Sequence, residues 1–419
     1  MKKIVKKLLQ ISLVASTLLT SATALDLNEA VTIALKNNHS LKAKNFEYEN
    51  SLNNINLEKS NYLPKVDLSY NYNKADEALA NQPKEDGTLS AKISYNLFNG
   101  FKDISNLKSS KLLSKSSKFL YEALRFDTAL ETKKAYINYL DKYNLLKTYK
   151  SEYLLFKNQY KDAKSRYEQG LLAKNDLLEV QVNMSSAKQN IVKANAALKV
   201  AKLQLSNILG GVDLSNENIE ALKVTDIKKL DYEKLQFENR SEIKALKMSI
   251  ESIIKQKDAA RGSYYPKLDA KLSHNEYYDN LGLSKIDEDV DNQNIASSNA
   301  SWNLYNGGAD LTKIAMLNTD LLKLKTQLQK TKLDINLQFE DAKAAFNVAS
   351  DNLITAKLAL SQAKENYSIV QNRFKEGVST STDLIDANFL LSSSKQKYNR
   401  AYFDKYLAIA TLNRIFEID

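Results

Sequence analysis

The chain has 419 residues with no Cys, three Pro and ten Gly. The lack of Cys excludes a disulfide framework, thiolate catalysis and a lipid-modified N-terminal Cys together, and so few helix breakers predict a mostly helical protein. The formal charge of +10 is spread without a long Lys/Arg block, so it reads as the solvated surface of long helices, and nucleic acid is not an expected partner.

Residues 1–24 carry Lys2, Lys3, Lys6 and Lys7, an apolar run from Leu8 to Leu19, and then Ala22-Thr23-Ala24. That order predicts a secretory signal peptide and export. Its removal takes four Lys and leaves a formal charge of +6. The apolar run is too short for a spanning helix, and no later stretch approaches the ~20 apolar residues that spanning needs. If the chain crosses a bilayer, it does so with strands.

A first repeat is predicted over 25–211: a helix, a strand pair at about 64–99 and a helical hairpin with its tip near Gly170. Residues 65–72 put Val66, Leu68, Tyr70 and Tyr72 on one face and Lys65, Asp67, Ser69 and Asn71 on the other. Residues 89–97 alternate in the same way, with Leu89, Ala91, Ile93, Tyr95 and Leu97 against Ser90, Lys92, Ser94 and Asn96. Strict alternation is the mark of a strand with one greasy and one wet face. After Gly100 the period changes to a seam of Ala135, Tyr139, Leu146, Tyr149, Tyr153, Phe156, Tyr160, Ala163 and Tyr167, with Lys142 as its polar intruder. The spacing is that of a heptad, and it predicts a helix of ~65 residues, about 100 Å at 1.5 Å per residue. A second long helix is expected from about Lys174 to Leu209, with Gly170 supplying the turn because it accepts positive φ.

A linker at 212–239 leads to a second repeat over 240–419, with a strand pair at about 266–306 and a hairpin tip near Gly377. Its strands read Leu268, Ala270 and Leu272 against Lys267, Asp269, Lys271 and Ser273, then Ala296, Ser298, Ala300, Trp302 and Leu304 against Ser297, Asn299, Ser301 and Asn303. Its heptad seam runs from Ile335 through Phe339, Ala342, Phe346, Ala349 and Leu353 to Phe374. The closing helix is expected from about Thr382 to Phe416.

The two repeats align without a gap at an offset of 207 from the strand exits onward: Asn96-Leu97-Phe98-Asn99-Gly100 falls on Asn303-Leu304-Tyr305-Asn306-Gly307, and Asp176-Leu177-Leu178 on Asp383-Leu384-Ile385. Upstream the offset is 202, so that Leu63-Pro64-Lys65 falls on Tyr265-Pro266-Lys267. One structural unit is written twice. Strands of ~9 to 11 residues suit a tilted crossing of a bilayer, with Tyr72, Tyr95, Phe98, Trp302 and Tyr305 placed as interfacial aromatics. The segments alone equally allow a soluble sheet packed on a small core. Four strands cannot close a barrel, however, and open edges are not tolerated in lipid, so a membrane reading requires several copies.

With the Leu27-Asn28-Glu29-Ala30 opening, Ala34-Leu35-Lys36-Asn37-Asn38, the Tyr62-Leu63-Pro64 and Tyr265-Pro266 strand entries, the Asn-Leu-aromatic-Asn-Gly exits and the two Gly-tipped hairpins, the chain resembles the outer membrane efflux protein family, the TolC family of trimeric channel-tunnels of Gram-negative bacteria. The resemblance implies a mainly α protein with a membrane β-barrel. Three protomers would give four strands each to a 12-stranded barrel continued by a long α-helical barrel in the periplasm. It further implies a passive exit duct of a tripartite efflux or type I secretion system. The implied partners are outer membrane lipid, a periplasmic adaptor (membrane fusion) protein and an inner-membrane RND, ABC or MFS transporter. Adaptor docking would fall on the tips at Gly170, Leu171, Gly377 and Val378.

The resemblance places Asp383 and Asp386 at the periplasmic aperture. They are three residues apart and share a helix face, and threefold symmetry would make six carboxylates, whose crowding should raise some of their pKa values and attract cations. The alternative is a solvated helix start with acids at its positive end. Asp176 and Gln159 match positions that latch the hairpins when closed, with a surface polar role as the alternative for Gln159. The aromatic hydroxyl expected at the second tip is replaced by Phe374, and the basic residue after the tip by Ser379, so the latch is rearranged.

The acidic run Asp287-Glu288-Asp289-Val290-Asp291 lacks the Gly and closing Glu of a calcium loop and reads as a solvated loop. His39 and His274 have no evident partners, so no triad, metal site or cofactor is expected, nor an enzyme. A soluble periplasmic coiled-coil scaffold or adaptor is the competing class.

Overall fold

The computed structural model describes residues 25–77, 84–215, 217–222, 237–278 and 292–418. The expected signal segment and the acidic run at 287–291 lie outside them. In chain order the elements are α1 (Leu27–Asn37), α2 (His39–Ser60), β1 (Lys65–Lys74), β2 (Glu85–Asn99), α3 (Lys102–Glu168), α4 (Lys174–Ile208), α5 (Ser241–Ala260), β3 (Lys267–Tyr278), β4 (Asn292–Ser301), α6 (Ala309–Lys375) and α7 (Ser381–Phe416). The protein is mostly helical with one small antiparallel sheet. It forms two compact units, the first from Met1–Asn38, Thr128–Leu230 and Ala345–Ala410, the second from His39–Asp127, Asp231–Ala344 and Thr411–Asp419.

In the second unit the strands lie in the order β1-β2-β3-β4, all antiparallel. Val66 faces Ile93, Ile93 faces Leu272, and Leu272 faces Ala296. Directly opposed residues share a face, so the alternation read from sequence becomes one apolar and one polar side of the sheet. Among the described residues nothing covers the apolar side: Val66 and Leu68 are 75% and 74% exposed.

The last predicted strand is shifted. β4 begins at Asn292 and ends at Ser301, so Trp302 and Leu304 fall beyond it. β2 reaches Asn99 because Phe98 and Asn99 pair with Leu268 and Lys267 of β3, whereas the matching residues after Ser301 have no strand beside them among the described residues.

At the strand-to-helix corner, Gly100 (φ +69°) and Phe101 (φ +63°) are both left-handed. A Cβ on Gly100 would lie 2.1 Å from the carbonyl oxygen of Gly262, a separation only a glycine permits. Phe101 holds its strained backbone with ring contacts, edge-on to Phe98 at 5.1 Å and to Tyr265 at 5.9 Å. Further along, α3 meets α5 through small side chains: Ser109 and Ser252 hydroxyls are 2.8 Å apart, and Ser116 Oγ donates to the Ala245 carbonyl at 2.9 Å.

The same unit buries an ionic cluster. Arg414 donates to Asp127 Oδ1 at 2.6 Å and to Glu242 Oε1 at 2.6 Å, while Glu242 also accepts from Arg240 at 2.7 Å. Glu417 accepts from the Ser241 N–H at 3.0 Å and its hydroxyl at 2.8 Å, so the chain's end caps the start of α5. Burial alone would raise the Glu242 carboxyl, but the guanidinium groups of Arg240 and Arg414 override it and hold it at about 2.

In the first unit Leu25 pairs with Ile219 as a parallel bridge, and the Tyr136 hydroxyl donates to the carbonyls of Leu25 and Glu220 at 2.9 and 2.7 Å. Ala30, Ala34, Ala135, Leu205, Leu209 and Phe403 pack around that junction. Thus part of the segment expected as a linker is tied to the start of α1.

Candidate functional site

The ends of α3 and α6 are built alike. At the first, the Gly170 N–H donates to Tyr167 O at 3.0 Å and the Leu171 N–H to Arg166 O at 2.8 Å; at the second, Gly377 donates to Phe374 O at 3.1 Å and Val378 to Arg373 O at 2.9 Å. These are the paired bonds of a Schellman motif, with glycine at the left-handed position, at φ +74° and +76°. Leu171 and Val378, the residues after each glycine, are exposed. Each hairpin therefore offers a rigid turn with one apolar residue outward.

The start of α7 explains the placement of its acids. The Thr380 N–H donates to Asp383 Oδ2 at 2.8 Å, and the Asp383 N–H donates to Thr380 Oγ1 at 3.1 Å. This reciprocal capping box satisfies two of the free backbone donors of the helix start. Beyond it, Leu384, Ile385, Ala387 and Asn388 are buried while Asp383 and Asp386 stay exposed on one face. Ile385 packs with Phe156, Ala163, Val180 and Ala187 of the first hairpin, and Phe389 sits 5.4 Å from the Phe156 ring. In the protomer the hydrogen bonds of Thr380, with Arg373 assisting, hold the Asp383 carboxyl below its ordinary range. The direction is opposite to the raise expected from crowding, because crowding needs carboxylates from other subunits.

The two residues matched to the latch sit in different settings within the protomer. Asp176 Oδ1 accepts from its neighbour Asn175 at 2.7 Å. Gln159 is buried rather than a surface polar residue, and its Oε1 has no partner among the described residues. Asn388 is fully buried, and neither of its amide atoms has a partner among the described residues. What joins the two tips is a contact that sequence reasoning missed: the Arg166 guanidinium lies 4.9 Å over the Phe374 ring. The missing hydroxyl is thereby replaced by an aromatic face for a cation.

Such a contact is worth about 0.5–1 kcal/mol at an exposed site. A double-mutant cycle of Arg166→Met and Phe374→Leu, read by thermal unfolding in detergent, should return a coupling of about that size; strictly additive losses would show that the stacking holds nothing. Among the described residues no group of three or more His, Cys, Asp or Glu could hold a metal, and no helix is long and apolar enough to cross a membrane.

A family model described as outer membrane efflux protein matches residues 30–211 and 234–416. The outer membrane protein TolC of Vibrio cholerae serotype O1 is 24% identical over 428 residues, covering 97% of this chain and 96% of that protein. Among solved structures, the CmeC outer membrane channel of Campylobacter jejuni superposes with a TM-score of 0.81 at 19% identity, over 93% of this chain and 85% of that one. The outer membrane protein VceC of Vibrio cholerae gives 0.75 at 15% identity, over 93% and 95%. At these identities the superpositions speak for a shared fold.

Proposed function

Because this chain belongs to the outer membrane efflux protein family, we propose that three copies of it form the exit duct of a tripartite efflux or type I secretion system. It is an efflux channel of the Gram-negative outer membrane with a large periplasmic portion, and its family is one of channels rather than enzymes. The observation that carries the trimeric reading is the sheet. Among the described residues its apolar side is bare, its polar side carries Lys65, Asp67, Lys92 and Lys271, and β1 and β4 are the two edges of the sheet. Lipid can accept the first face and a water-filled bore the second, but only if the edges are closed. Three sheets of four strands would close as a 12-stranded barrel.

In this reading the duct is passive. The repeated chain, as 25–211 and 240–419, supplies two hairpins per subunit, and the exposed turns at Gly170-Leu171 and Gly377-Val378 are where a periplasmic adaptor docks. An inner-membrane transporter of the RND, ABC or MFS kind supplies the energy. Asp383 and Asp386 line the periplasmic aperture, where three copies bring six carboxylates together and attract cations. Asp176 and Gln159 lie in the hairpin that α7 packs against and move relative to it on opening.

The test uses outer membranes washed with carbonate. The protein should remain in them and run as a heat-sensitive oligomer; release as a soluble monomer would sink the duct and favour a periplasmic scaffold. In planar bilayers, Asp383→Asn with Asp386→Asn should abolish block by multivalent cations and raise conductance. Asn keeps an oxygen that can accept from Thr380, so the change removes charge without stripping the helix cap. Unchanged block would remove both residues from the aperture.

A further inference from the structure

The polar side of the sheet is unevenly charged. Lys65 of β1 faces Ser94 of β2, Ser94 faces Lys271 of β3, and Lys271 faces Ser297 of β4. Directly opposed residues share a face, so these four side chains form one row with two ammoniums, two hydroxyls and no carboxylate. Neighbouring strands lie about 4.8 Å apart, which sets the two lysines roughly 10 Å from each other with a hydroxyl between them. Lys65, Ser94 and Lys271 line one hollow of ≈ 280 Å³.

The neighbouring rows do not cancel this charge. On one side Asp67 faces Lys92, and the two are paired at 3.6 Å. On the other, Asp269 faces Asn96 and Asn299, and beyond it Lys267 faces Asn99 and Ser301. Among the described residues Lys65, Lys267 and Lys271 make no ion pair, and neither does Asp269. Asp86 lies at the far end of the strands, where the Asn73 amide donates to it at 3.0 Å. At the start of α3, Lys102 and Asp103 offset each other. The end of the sheet that holds Lys65 therefore carries three unanswered lysines against one unanswered aspartate.

Duplication does not account for the row. Lys65 and Asp67 recur as Lys267 and Asp269 at the offset of 202, but Lys271 stands where the first repeat has Ser69.

We propose that the Lys65–Lys271 row makes the membrane-spanning part of the duct prefer anions, so that solutes bearing carboxylate, sulfate or phosphate groups are its favoured cargo. The inference rests on the trimeric reading and deepens it by naming a substrate class. Three copies would set six such lysines around the bore. A protein wall backed by lipid has a low dielectric, and it concentrates the field of those ammoniums in the water it encloses. The carboxylates of Asp383 and Asp386 have the opposite sign, so the two bands can be separated by mutation.

The experiment uses full-length protein in planar bilayers, in the Asp383→Asn with Asp386→Asn background, under a KCl gradient at low ionic strength where screening is weak. This parent should pass chloride over potassium by about threefold. Adding Lys65→Gln with Lys271→Gln should abolish that preference, whereas Asp67→Asn with Lys92→Gln, which removes a paired couple, should change it much less. Inorganic tripolyphosphate added on the outer side should block the parent and lose about tenfold in potency on the lysine variant. A parent that prefers potassium, or a lysine variant with unchanged zero-current potential and unchanged block, overturns the lysine row while leaving the duct intact. A parent that forms no channel overturns the duct itself. Should the double lysine variant fail to insert, Lys271→Ser decides, since the first repeat already carries Ser69 at that place: it should lower the chloride preference, and an unchanged preference counts against the row.

Discussion

Arg414→Met should be among the most destabilising single changes in this protein, costing about 3–5 kcal/mol, the range for removing one partner of a buried pair. The guanidinium is buried and answers Asp127, Glu242 and, at 3.6 Å, Glu417. Asp127 can turn to water because half of it is exposed, but Glu242 and Glu417 are mostly covered. Loss of Arg414 strands them. Lysine should rescue little, since a single ammonium cannot answer two carboxylates at hydrogen-bond distance as a planar guanidinium does. Removing both charges, as Arg414→Met with Glu242→Leu, should cost less than the sum of the two single changes.

The pH dependence follows from the same cluster. The folded-state Glu242 carboxyl titrates at about 2 against an ordinary 4.5. A depressed carboxylate stabilises the fold above its unfolded value and loses that contribution as pH falls through the folded one. The shift corresponds to ~3 kcal/mol, lost between pH 4.5 and 2. Amide exchange along α5 and the last turn of α7 should accelerate across that interval in the wild type and much less in Glu242→Gln, which is weaker at neutral pH from the start. An acid limb unchanged by Glu242→Gln would remove this carboxylate from the account.

The second large effect is expected at Gly100. An alanine there must hold a left-handed backbone, about 1–2 kcal/mol for an L residue, and place a methyl 2.1 Å from a carbonyl oxygen. Since backbone faces backbone, relief requires parting β2 from the turn before β3, and overpacking of this kind costs typically 1–3 kcal/mol more. Gly100→Ala should therefore reduce the folded yield in outer membranes severely. Gly307→Ala is the comparison, because nothing among the described residues lies within 4 Å of a Cβ there. It should fold as a protomer at the lesser cost and show its defect in assembly. Equal defects in both variants would mean that the close approach to Gly262 is not what selects glycine.

The particular successes and failures of sequence reading have physical reasons. The limits of α3, α4, α6 and α7 were legible because Gly100, Gly170, Gly307 and Gly377 punctuate long periodic stretches, and local conformation decides where such helices stop. The capping box was not read from sequence, although Thr380 followed three places later by Asp383 has its spacing; only acids at the positive end of the helix were expected there. The far end of β4 was not legible, because a strand is defined by its neighbour. Gln159 was open between latch and surface, and its burial is set by tertiary packing, which no local pattern records. The Arg414 cluster is assembled from positions 127, 240, 242, 414 and 417, each an ordinary surface-type residue in its own segment. Phe374 was singled out for the hydroxyl it lacks, yet only the fold shows Arg166 above its ring.

The sheet's bare sides also bear on how such a subunit survives before it is finished. A copy that reached the periplasm with this sheet already formed would carry two edge strands and an exposed apolar face through water. Any ribbon of matching alternation that arrives first can add itself there, native or foreign. If three such sheets close into one barrel, copies not yet joined would need an escort, or insertion faster than collision, because closure can protect only those already in the ring.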